Sequence, residues 1–423
     1  MSRPTAVVLV TGSELVRGGR TDENGPFLAR ELSTRGIEPS RILVVGDRPD
    51  TLEQAIRGAL EADLVITSGG LGPTHDDRTV EMLAQVAGRA LVVNPVLEDE
   101  IGQVVRGLSE RFRRPYEEFE AGVRKQATIP EGAISLGLAG TAPGLVLKVG
   151  STVVVVLPGP PGELQRLWAR AVEVESVRRV FAGAEHPEHR ILRFFGLPES
   201  AVARVVEGAG GETEGLDITI CAHDLEVQVD LVVGPDAVDG ADEVSAALRR
   251  ELPQALFADD ERTVEAIVLD LARERGVTLA TAESCTGGLV AARLTSVPGS
   301  SAAFLGSVVA YDDSVKRQSL GVSAAVLERH GAVSAECAAA MAAGAQEALG
   351  ADVAVSVTGV AGPGGGTEEK PVGLVYLHAT GAGRVEAVEL RLPGTRDTVR
   401  RRAAASALHL LRRLLTQSRL SQE

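Results

Sequence analysis

The sequence predicts a multidomain protein of the α/β class. The chain has 423 residues, and at about 150 residues per domain this length suggests roughly three domains. Short apolar segments alternate with helical patterns towards both ends of the chain, which is typical of doubly wound sheets. Between them, residues 190–256 follow a strand, helix, strand, strand, helix, strand order. That order indicates a small α+β domain in the middle.

The composition is that of an ordinary globular protein, with 44% hydrophobic and 24% charged residues. A formal net charge of −15 argues against a nucleic-acid partner. The three cysteines lie far apart, which predicts neither disulfides nor a zinc site and suggests a reducing compartment. The apolar opening at 6–10 is too short for a signal peptide or a membrane span. We therefore expect a cytoplasmic protein without a membrane partner.

In the first domain, which we place at residues 1–170, buried strands alternate with amphipathic helices. The predicted strands are 5–11, 41–45 and 63–67, and the predicted helices are 24–35 and 51–60. The third strand leads into the glycine-rich loop TSGGLGPTHDDRT at 67–79. Glycines let backbone amides approach an anion, and a helix start favours phosphate. The candidate phosphate-binding residues in this loop are Gly69, Gly70, Gly72 and Thr74.

Asp76 and Asp77 follow the same glycines. Two carboxylates there would repel phosphate unless a hard divalent cation lay between them, which predicts a site for Mg, Mn or Co. Glu14 and Glu163 are further candidate ligands, although Glu163 could equally be an acidic residue at a helix start. A glycine-rich turn with acidic residues is also often only a turn and a helix cap.

The loop resembles the GGxGPTxDD motif of the molybdopterin-binding-like fold, in the N-terminal branch of the CinA family. GSELxxG near the start and three later segments follow in the order of that branch: RKQATIPEGA at 124–133, GTAPG at 140–144 and LPGPPGEL at 157–164. The resemblance implies a divalent-metal-dependent ADP-ribose pyrophosphatase. The family commonly has Asn where this chain has Gly137, so any ligand contact from that side chain is absent.

The middle domain, placed at 186–257, resembles the KH-like insert of long CinA proteins. Its segment is acidic and lacks a basic GxxG loop, so a spacer or dimer element is expected instead of an RNA clamp. Pro187 separates His186 from His189, which predicts a solvated linker there and not a metal site. The helix predicted at 164–180 carries Trp168, interpreted as a packing residue.

The third domain, placed at 260–418, contains a candidate nucleophile and base. A strand at 277–281 leads into the turn with Ser284, and a strand at 304–311 is followed by Lys316. In a βαβ unit both turns reach the carboxyl edge of one sheet, where Ser284 and Lys316 can meet. Serine with lysine is a known nucleophile and base arrangement. The alternative is that they are a helix cap and a solvated side chain.

Lysine usage favours the catalytic interpretation. The chain has only four lysines among 43 basic residues, and arginine cannot lose its proton in a protein, so a base at this position has to be Lys316. Cys285 is a rival nucleophile. The backbone amides expected to stabilise an oxyanion are those of Cys285, Thr286, Gly287 and Gly288.

A second glycine-rich loop, TGVAGPGGGTEEKP at 358–371, follows a predicted strand at 351–357. Because it follows a strand and carries a lysine, we interpret it as a phosphate loop and not as a flexible linker. Its candidate phosphate-binding residues are Gly362, Gly364, Gly365, Gly366, Thr367 and Lys370.

AESCTGG, YDDSVK, LGV, GAVS and TGVAGPGGGTEEKPVG, in this order, resemble the CinA C-terminal (PncC-type) nicotinamide-nucleotide amidohydrolases over about residues 260–415. The resemblance implies Ser284 as nucleophile and Lys316 as base, with Tyr311 and Thr358 positioning the base or the amide, and no cofactor. The chain departs from the family at Gly306-Ser307 and at Asp312-Asp313, pairs that we expect to touch neither Ser284 nor Lys316.

Together these resemblances predict a bifunctional hydrolase of pyridine-nucleotide recycling. Its small-molecule partners would be nicotinamide mononucleotide and ADP-ribose, and a homodimer is expected. The alternative is that the first domain is a nucleotide- or pterin-binding accessory module without catalysis. The final arginine-rich helix, predicted at 395–415, is interpreted as a packing or dimer element.

Overall fold

The structure is a computed structural model that describes residues 4–184, 187–381 and 383–416. It divides into two compact units, Met1–Pro187 and Glu188–Glu423. The first unit holds one large sheet, and the second holds a small sheet and a five-stranded sheet. The domain boundaries at 1–170, 186–257 and 260–418 stay predictions. In the described part of the chain, no helix combines the length and apolar character needed to span a bilayer.

The described residues of the first unit form eight strands and eight helices. The strands are β1 (Ala6–Thr11), β2 (Pro39–Val45), β3 (Leu64–Ser68), β4 (Leu91–Val93), β5 (Thr128–Pro130), β6 (Ile134–Leu138), β7 (Pro143–Val149) and β8 (Thr152–Leu157). The helices are α1 (Ser13–Val16), α2 (Asn24–Ser33), α3 (Pro49–Ala59), α4 (Thr79–Ala87), α5 (Pro95–Phe112), α6 (Glu120–Gln126), α7 (Pro161–Ala171) and α8 (Glu175–Ala182), with a 3-10 helix at Tyr116–Glu118.

The main sheet has the order β2-β1-β3-β8-β7-β6. Its first four strands are parallel, β7 is antiparallel to β8, and β6 is antiparallel to β7. Strands β4 and β5 form a separate ribbon. Along β1, Val7 and Leu9 enter one hydrophobic core and Val8 and Val10 enter another. The sheet is therefore covered on both faces, as parallel strands require, and the predicted doubly wound fold is confirmed.

Two predictions for this unit concern the chain after β8. Trp168 is almost fully buried, and its indole Nε1 donates to Glu31 Oε2 at 2.9 Å, so its interpretation as a packing residue is confirmed. The single helix predicted at 164–180 is wrong, because α7 ends at Ala171 and α8 begins only at Glu175. Val174 between them is in the extended region at φ −71° and ψ 130°, which no regular helix accommodates.

In the second unit, the part of the chain that the structure describes forms nine strands and eight helices. The strands are β9 (Glu188–Phe195), β10 (Leu216–His223), β11 (Glu226–Val233), β12 (Leu256–Ala258), β13 (Leu279–Glu283), β14 (Phe304–Val309), β15 (Val353–Gly359), β16 (Leu374–Gly381) and β17 (Arg384–Arg391). The helices are α9 (Glu199–Gly208), α10 (Val238–Glu251), α11 (Val264–Arg275), α12 (Leu289–Thr295), α13 (Asp313–Leu320), α14 (Ala324–His330), α15 (Ala335–Leu349) and α16 (Arg396–Thr416), with a 3-10 helix at Ser300–Ala302.

The small sheet, β10-β11-β9-β12, is antiparallel and carries α9 and α10, so the predicted α+β order is confirmed. The solvated linker predicted before it is wrong for His189, which pairs within β9 opposite Val232. His186 lies outside the described residues.

The five-stranded sheet has the order β14-β13-β15-β16-β17. Strands β14, β13 and β15 are parallel, so the predicted βαβ unit is confirmed, and β16 and β17 extend the sheet as an antiparallel hairpin. Helix α16 packs on β15, β16 and α11, and every residue from Ala403 to Leu411 is buried. It is a central helix of this unit and contributes to its largest hydrophobic core.

Candidate active sites

A cavity of about 260 Å³ lies where β13 and β15 end at the carboxyl edge of the five-stranded sheet. The predicted site residues that line it are Ser284, Cys285, Tyr311, Lys316, Thr358, Gly362, Gly364 and Gly365. The parallel strands place these turns on one edge, as the topology of open α/β sheets dictates. The structure therefore brings the predicted nucleophile, the predicted base and part of the second glycine-rich loop to the same cavity.

Ser284 lies directly after β13, and its side chain is free to react. The residue is 8% exposed, and its backbone amide donates to Val357 O at 2.9 Å, which fixes the turn to β15. Among the described residues, no hydrogen bond engages the Ser284 hydroxyl. A hydroxyl that faces a cavity without a partner is available to a ligand.

Lys316 is 1% exposed and lies in the first turn of α13. Its Nζ donates to Tyr311 O and to Asp313 Oδ1, each at 3.2 Å. Within the described ranges, Ser284 Oγ is not among its hydrogen-bond partners, so the two side chains share the cavity without being joined. Catalytic hydrogen bonds are often long in structures without ligand and shorten when substrate binds.

Asp313 corrects the expectation that the pair Asp312-Asp313 touches neither proposed catalytic residue. Residues three apart on a helix lie on the same face, so Asp313 reaches Lys316 and lines the cavity. Asp312 instead caps α13, since its Oδ1 accepts from Ser314 N at 2.8 Å. That hydrogen bond, with one from the Ser314 hydroxyl, holds the pKa of Asp312 below its usual range.

The predicted oxyanion-binding amides are only partly available. Gly287 N donates to Ser284 O at 3.1 Å, and Gly288 N donates to Glu283 Oε2 at 2.9 Å. The amides of Cys285 and Thr286 have no acceptor in the described part of the chain. The prediction is therefore wrong for Gly287 and Gly288, and Cys285 and Thr286 remain as candidates.

Glu283 is the reason for this correction. Its carboxylate is fully buried and accepts from Gly288 N, Val290 N and Ala291 N at 2.9 to 3.1 Å. A helix start leaves several backbone amides unpaired, and here a side chain at the end of β13 satisfies them. The start of α12 is thus already occupied by a carboxylate and is not a free anion site.

Cys285, the rival nucleophile, is buried, and burial raises the pKa of its thiol to about 12. Only the thiolate is strongly nucleophilic, so this thiol is poorly suited to attack at neutral pH. The geometry favours Ser284.

The predicted phosphate loop reaches the cavity with only its first half. Gly362, Gly364 and Gly365 line the wall, whereas Gly366, Thr367 and Lys370 do not. Lys370 Nζ donates to His330 O, and Lys370 N donates to Thr367 Oγ1 at 3.0 Å, so these residues tie the loop to the end of α14. The assignment of Lys370 as a phosphate ligand does not fit this geometry.

Thr358 lines the cavity, but its hydroxyl donates to Ala332 O at 2.6 Å.

Two arginines of α16 complete this region and were missed by the sequence analysis. Arg396 lines the cavity and donates to Gly362 O and Tyr311 OH, both at 2.7 Å. Arg400 donates to Cys285 O at 3.1 Å and Thr286 O at 2.8 Å. A cation at the first position of a helix opposes the helix dipole, and this was the available signal for Arg396.

The first unit has its own cavity, of about 300 Å³, beside the first glycine-rich loop. Gly69, Gly70 and Gly72 line it, while Thr74 does not.

Two of these positions require glycine. A Cβ on Gly69 would lie 2.5 Å from Thr11 O, and one on Gly70 would lie 2.1 Å from Thr79 Oγ1. Both have positive φ, 101° and 69°, so only glycine suits these positions. Gly69 N donates to Leu157 O, which leaves the amides of Gly70 and Gly72 for a ligand.

Five carboxylate residues line the same cavity: Glu14, Asp47, Asp76, Asp77 and Glu163. Sequence analysis missed Asp47, which follows β2 and accepts from Ser13 N at 2.9 Å. Thr74 serves this cluster indirectly, because its amide donates to Asp77 Oδ2 at 3.0 Å and its hydroxyl contacts both Asp76 and Asp77. The Thr74 hydroxyl lowers the pKa of Asp76, and burial raises the pKa of Glu163.

The predicted divalent metal can be tested against this donor set. The carboxylates are hard oxygen donors, and none of the described lining residues is lysine or arginine. However, no three Asp, Glu, His or Cys side chains in the described ranges converge closely enough to enclose an ion. Mg²⁺ is often held by one or two carboxylates together with substrate phosphates. The residues therefore fit a cation shared with a phosphate-bearing ligand, and they do not fit a closed metal cage.

Gly137, where the related proteins were expected to carry Asn, lies in β6 with φ 74°. Arg170 Nη1 donates to the carbonyls on either side of it, Leu136 O and Leu138 O, both at 3.0 Å. Asparagine and glycine are the residues that tolerate positive φ best, so the exchange keeps the backbone conformation. Gly137 does not line the cavity described above.

Comparison with known protein families gives one match in each unit. A family described as CinA C-terminal domain matches residues 261–415, and one described as probable molybdopterin binding domain matches residues 7–176. Among solved structures, the competence/damage inducible protein CihA from Agrobacterium tumefaciens is 42% identical over 36% of this chain and 96% of its own, with a TM-score of 0.34. The CinA protein from Thermoplasma acidophilum, of unknown function, is 34% identical over 42% of this chain and 98% of its own, with a TM-score of 0.36.

Two relatives match nearly from end to end. The CinA-like protein of Mycobacterium marinum is 43% identical over 97% of this chain and 99% of its own length. That of Mycolicibacterium vanbaalenii is 44% identical over 97% of this chain and 98% of its own. The chain is thus an α/β protein with a molybdopterin-binding-like domain and a CinA C-terminal domain, and it belongs to the CinA family.

Proposed function

We propose that the second unit hydrolyses the carboxamide of nicotinamide mononucleotide to nicotinate mononucleotide and ammonia. The observation that carries this proposal is the unpaired Ser284 hydroxyl on the wall of a cavity that also holds the buried Lys316 amine. Unlike the guanidinium of arginine, the amine of lysine can lose its proton in a protein, and buried lysines serve as catalytic bases for this reason.

In the proposed reaction, Ser284 Oγ attacks the carboxamide carbon while Lys316 Nζ takes the hydroxyl proton. The amides of Cys285 and Thr286 donate to the developing oxyanion. Lys316 then passes the proton to the departing nitrogen, which leaves as ammonia. Water then attacks the resulting ester while Lys316 Nζ accepts one of its protons. Lys316 returns that proton to Ser284 Oγ as the ester bond breaks, which releases the acid product and restores the Ser284 hydroxyl and the neutral amine. Each proton thus moves through one amine.

The 5′-phosphate of the nucleotide would lie at the other end of the cavity. Arg396, Gly362, Gly364 and Gly365 all line the cavity, and Arg396 donates to Gly362 O at 2.7 Å. A guanidinium beside flexible glycine backbone suits phosphate, because arginine can donate two parallel hydrogen bonds to its oxygens. This assignment replaces the expected role of Lys370.

Ammonia release tests the proposal. The purified full chain should release ammonia from nicotinamide mononucleotide, and Ser284→Ala should abolish the release while calorimetry still shows nucleotide binding. Ser314→Ala, which alters another serine hydroxyl of the same unit outside the cavity, is the matched control and should stay active. Full activity of Ser284→Ala would disprove the assignment of the nucleophile.

For the first unit we propose hydrolysis of the pyrophosphate of ADP-ribose. Asp76, Asp77 and the other lining carboxylates would hold a divalent cation, which when bound would neutralise pyrophosphate oxygens. The amides of Gly70 and Gly72 would donate to a phosphate, and Thr74 would fix both aspartates.

The second candidate for this unit is a nucleotide- or pterin-binding module without catalysis. The observation that favours it is the lack of three converging metal ligands among the described residues. Incubation with ADP-ribose and Mg²⁺, Mn²⁺ or Co²⁺ separates the two, because only the enzyme would produce AMP and ribose 5-phosphate, whereas the module would bind ADP-ribose unchanged.

A further inference from the structure

The cavity of the second unit has an uneven charge distribution that the proposed reaction does not explain. Its described charged residues are two cations, Lys316 and Arg396, and one anion, Asp313. Arg396 is engaged with Gly362 O and Tyr311 OH. Asp313 Oδ1 lies 3.2 Å from Lys316 Nζ, and the two side chains are 57% and 2% exposed. The carboxylate therefore lies beside the buried amine, where it would compensate the charge of the protonated form, and it remains partly exposed.

The substrate and product of a deamidation differ in the group that is hydrolysed. A carboxamide is neutral and carries an NH₂ group that can donate to a carboxylate. The product carboxylate is negative and has only acceptors. The acid product can give its proton to the buried Lys316 amine, and an ammonium without another partner would then bind the product carboxylate strongly, because charge-assisted pairs are stronger than neutral hydrogen bonds. Asp313 occupies that ammonium and repels a second carboxylate.

We propose that Asp313 is the specificity-determining residue that makes this site prefer the neutral amide to its own acid product. The inference rests on the proposed deamidation, and it assigns Asp313 a role in ligand discrimination and product release. The group recognised is an aromatic carboxamide attached to a phosphorylated ribose, and the group rejected is the corresponding carboxylate.

Equilibrium binding to the full chain tests this role without catalysis. In a Ser284→Ala background, calorimetry would measure the dissociation constants of nicotinamide mononucleotide and nicotinate mononucleotide with and without Asp313→Asn. We expect Asp313→Asn to tighten binding of the acid by about tenfold or more, since one partly solvated charge is removed, and to change binding of the amide by less than about threefold. In the active enzyme, inhibition by nicotinate mononucleotide should strengthen by the same factor.

Two further variants isolate the effect. Asp312→Asn removes an equal charge from the adjacent residue, and asparagine caps a helix as well as aspartate does, so discrimination should stay as in the parent. Asp313→Glu should restore the preference for the amide, which a purely structural role would not require. Because the Asp313 side chain is mostly exposed, normal folding of these variants is expected, and thermal melts would check it.

The outcomes separate this inference from the proposed function. If both nucleotides bind the Ser284→Ala protein and Asp313→Asn changes them equally or not at all, the discrimination role is overturned while the deamidase stands. If Asp312→Asn acts as strongly as Asp313→Asn, general charge and not Asp313 sets the preference. If neither nucleotide binds and wild type releases no ammonia, the proposed function itself fails.

Discussion

Lys316 is the residue on which the proposed amidase chemistry depends. Replacing it by arginine keeps a positive charge near Asp313 but removes the ability to accept a proton. We expect Lys316→Arg to lower ammonia release by about a hundredfold or more, which is the usual contribution of general acid and base groups. Nucleotide binding measured by calorimetry should change little. Wild-type turnover in this variant would contradict the assignment of the base.

Cys285 gives the complementary prediction. Its thiol has a pKa raised to about 12 by burial, so almost none is thiolate at neutral pH. Cys285→Ala should keep most of the ammonia release, because the residue would contribute only its backbone amide. A variant that melts normally but is inactive would reopen the cysteine mechanism. Cys337→Ala, which alters another buried thiol of the same unit, is the matched control.

Sequence could predict the reactive pair but not its surroundings. Ser284 and Lys316 follow strands in a recognisable order, and parallel topology brings them to one cavity. The contacts of Asp313 and Arg396 were not predicted. The contact of Asp313 depends on which side of α13 faces the cavity, and that of Arg396 depends on tertiary packing, which brings the start of α16 to the same cavity. Glu283 was missed because nothing in its spacing shows that its carboxylate bends back onto α12. Motif spacing reports backbone position, whereas these contacts depend on side-chain direction.

Helix α16 connects the small sheet of the second unit with the cavity lined by Ser284 and Lys316. Near its start, Arg396 lines this cavity and Arg400 donates to the turn that follows β13. Farther along the helix, Arg401 Nε donates to Asp224 Oδ2 at 2.9 Å, and His409 Nε2 lies 2.9 Å from Glu226 Oε1. The β10–β11 hairpin thus holds the same helix that supplies arginines to the site.

His409 is fully buried between two aromatic rings, with the Phe195 centroid at 3.7 Å and the Phe257 centroid at 4.6 Å. Burial lowers its pKa from 6.5 to about 4, against the opposing effect of Glu226. Below pH 6.5 the unfolded chain binds a proton here that the folded chain does not. The stability contributed by neutral His409 is therefore complete above pH 6.5 and falls as the pH is lowered towards 4, by on the order of 3 kcal/mol in total.

Thermal melting between pH 7 and pH 5 checks this linkage. His409→Gln keeps an N–H donor for Glu226 but does not titrate in this range, so its melting temperature should fall less with acidification than that of the wild type. His223→Gln alters an exposed histidine of the same unit and should follow the wild type. Parallel curves for wild type and His409→Gln would show that His409 is not the source of the acid sensitivity.

At the level of helices and strands, the sequence was most informative where one face is apolar. Helices α2 and α3 were predicted within a few residues. The hairpin β16–β17 was not predicted from the sequence. Helix α16 was interpreted as a packing or dimer element, and its buried alanines agree with the packing alternative. Small residues give little hydrophobic contrast, so its central position became clear only from the tertiary packing.

The two proposed activities belong to different compact units, and each unit has its own strands, core and cavity. The two regions with long ordered series of motifs, near the two ends of the chain, fall in different units. The sequence could not predict the shape of the first cavity, where Asp47 joins the expected carboxylates from the end of β2. Independent units predict that damage to one site leaves the other active.

Metal dependence gives the sharpest separation between the two sites. A cavity lined by five carboxylates and, among its described residues, no basic side chain repels a pyrophosphate unless a cation reverses the local charge. A chelator should therefore stop hydrolysis of ADP-ribose and leave ammonia release from nicotinamide mononucleotide unchanged. Asp77→Asn should reproduce the chelator effect, and Asp76→Asn should be similar or milder. Asp99→Asn, an equal charge change on the exposed face of α5, should affect neither activity.

Each result of that experiment decides a different question. Undiminished ADP-ribose hydrolysis in the chelator would refute the metal requirement, and loss of both activities in Asp77→Asn would show that the sites are coupled. If wild type produces no AMP with any of the three metals but binds ADP-ribose, the first unit is an accessory module. In that case Asp77→Asn should still strengthen ADP-ribose binding without metal, because one fewer carboxylate then opposes the pyrophosphate charge.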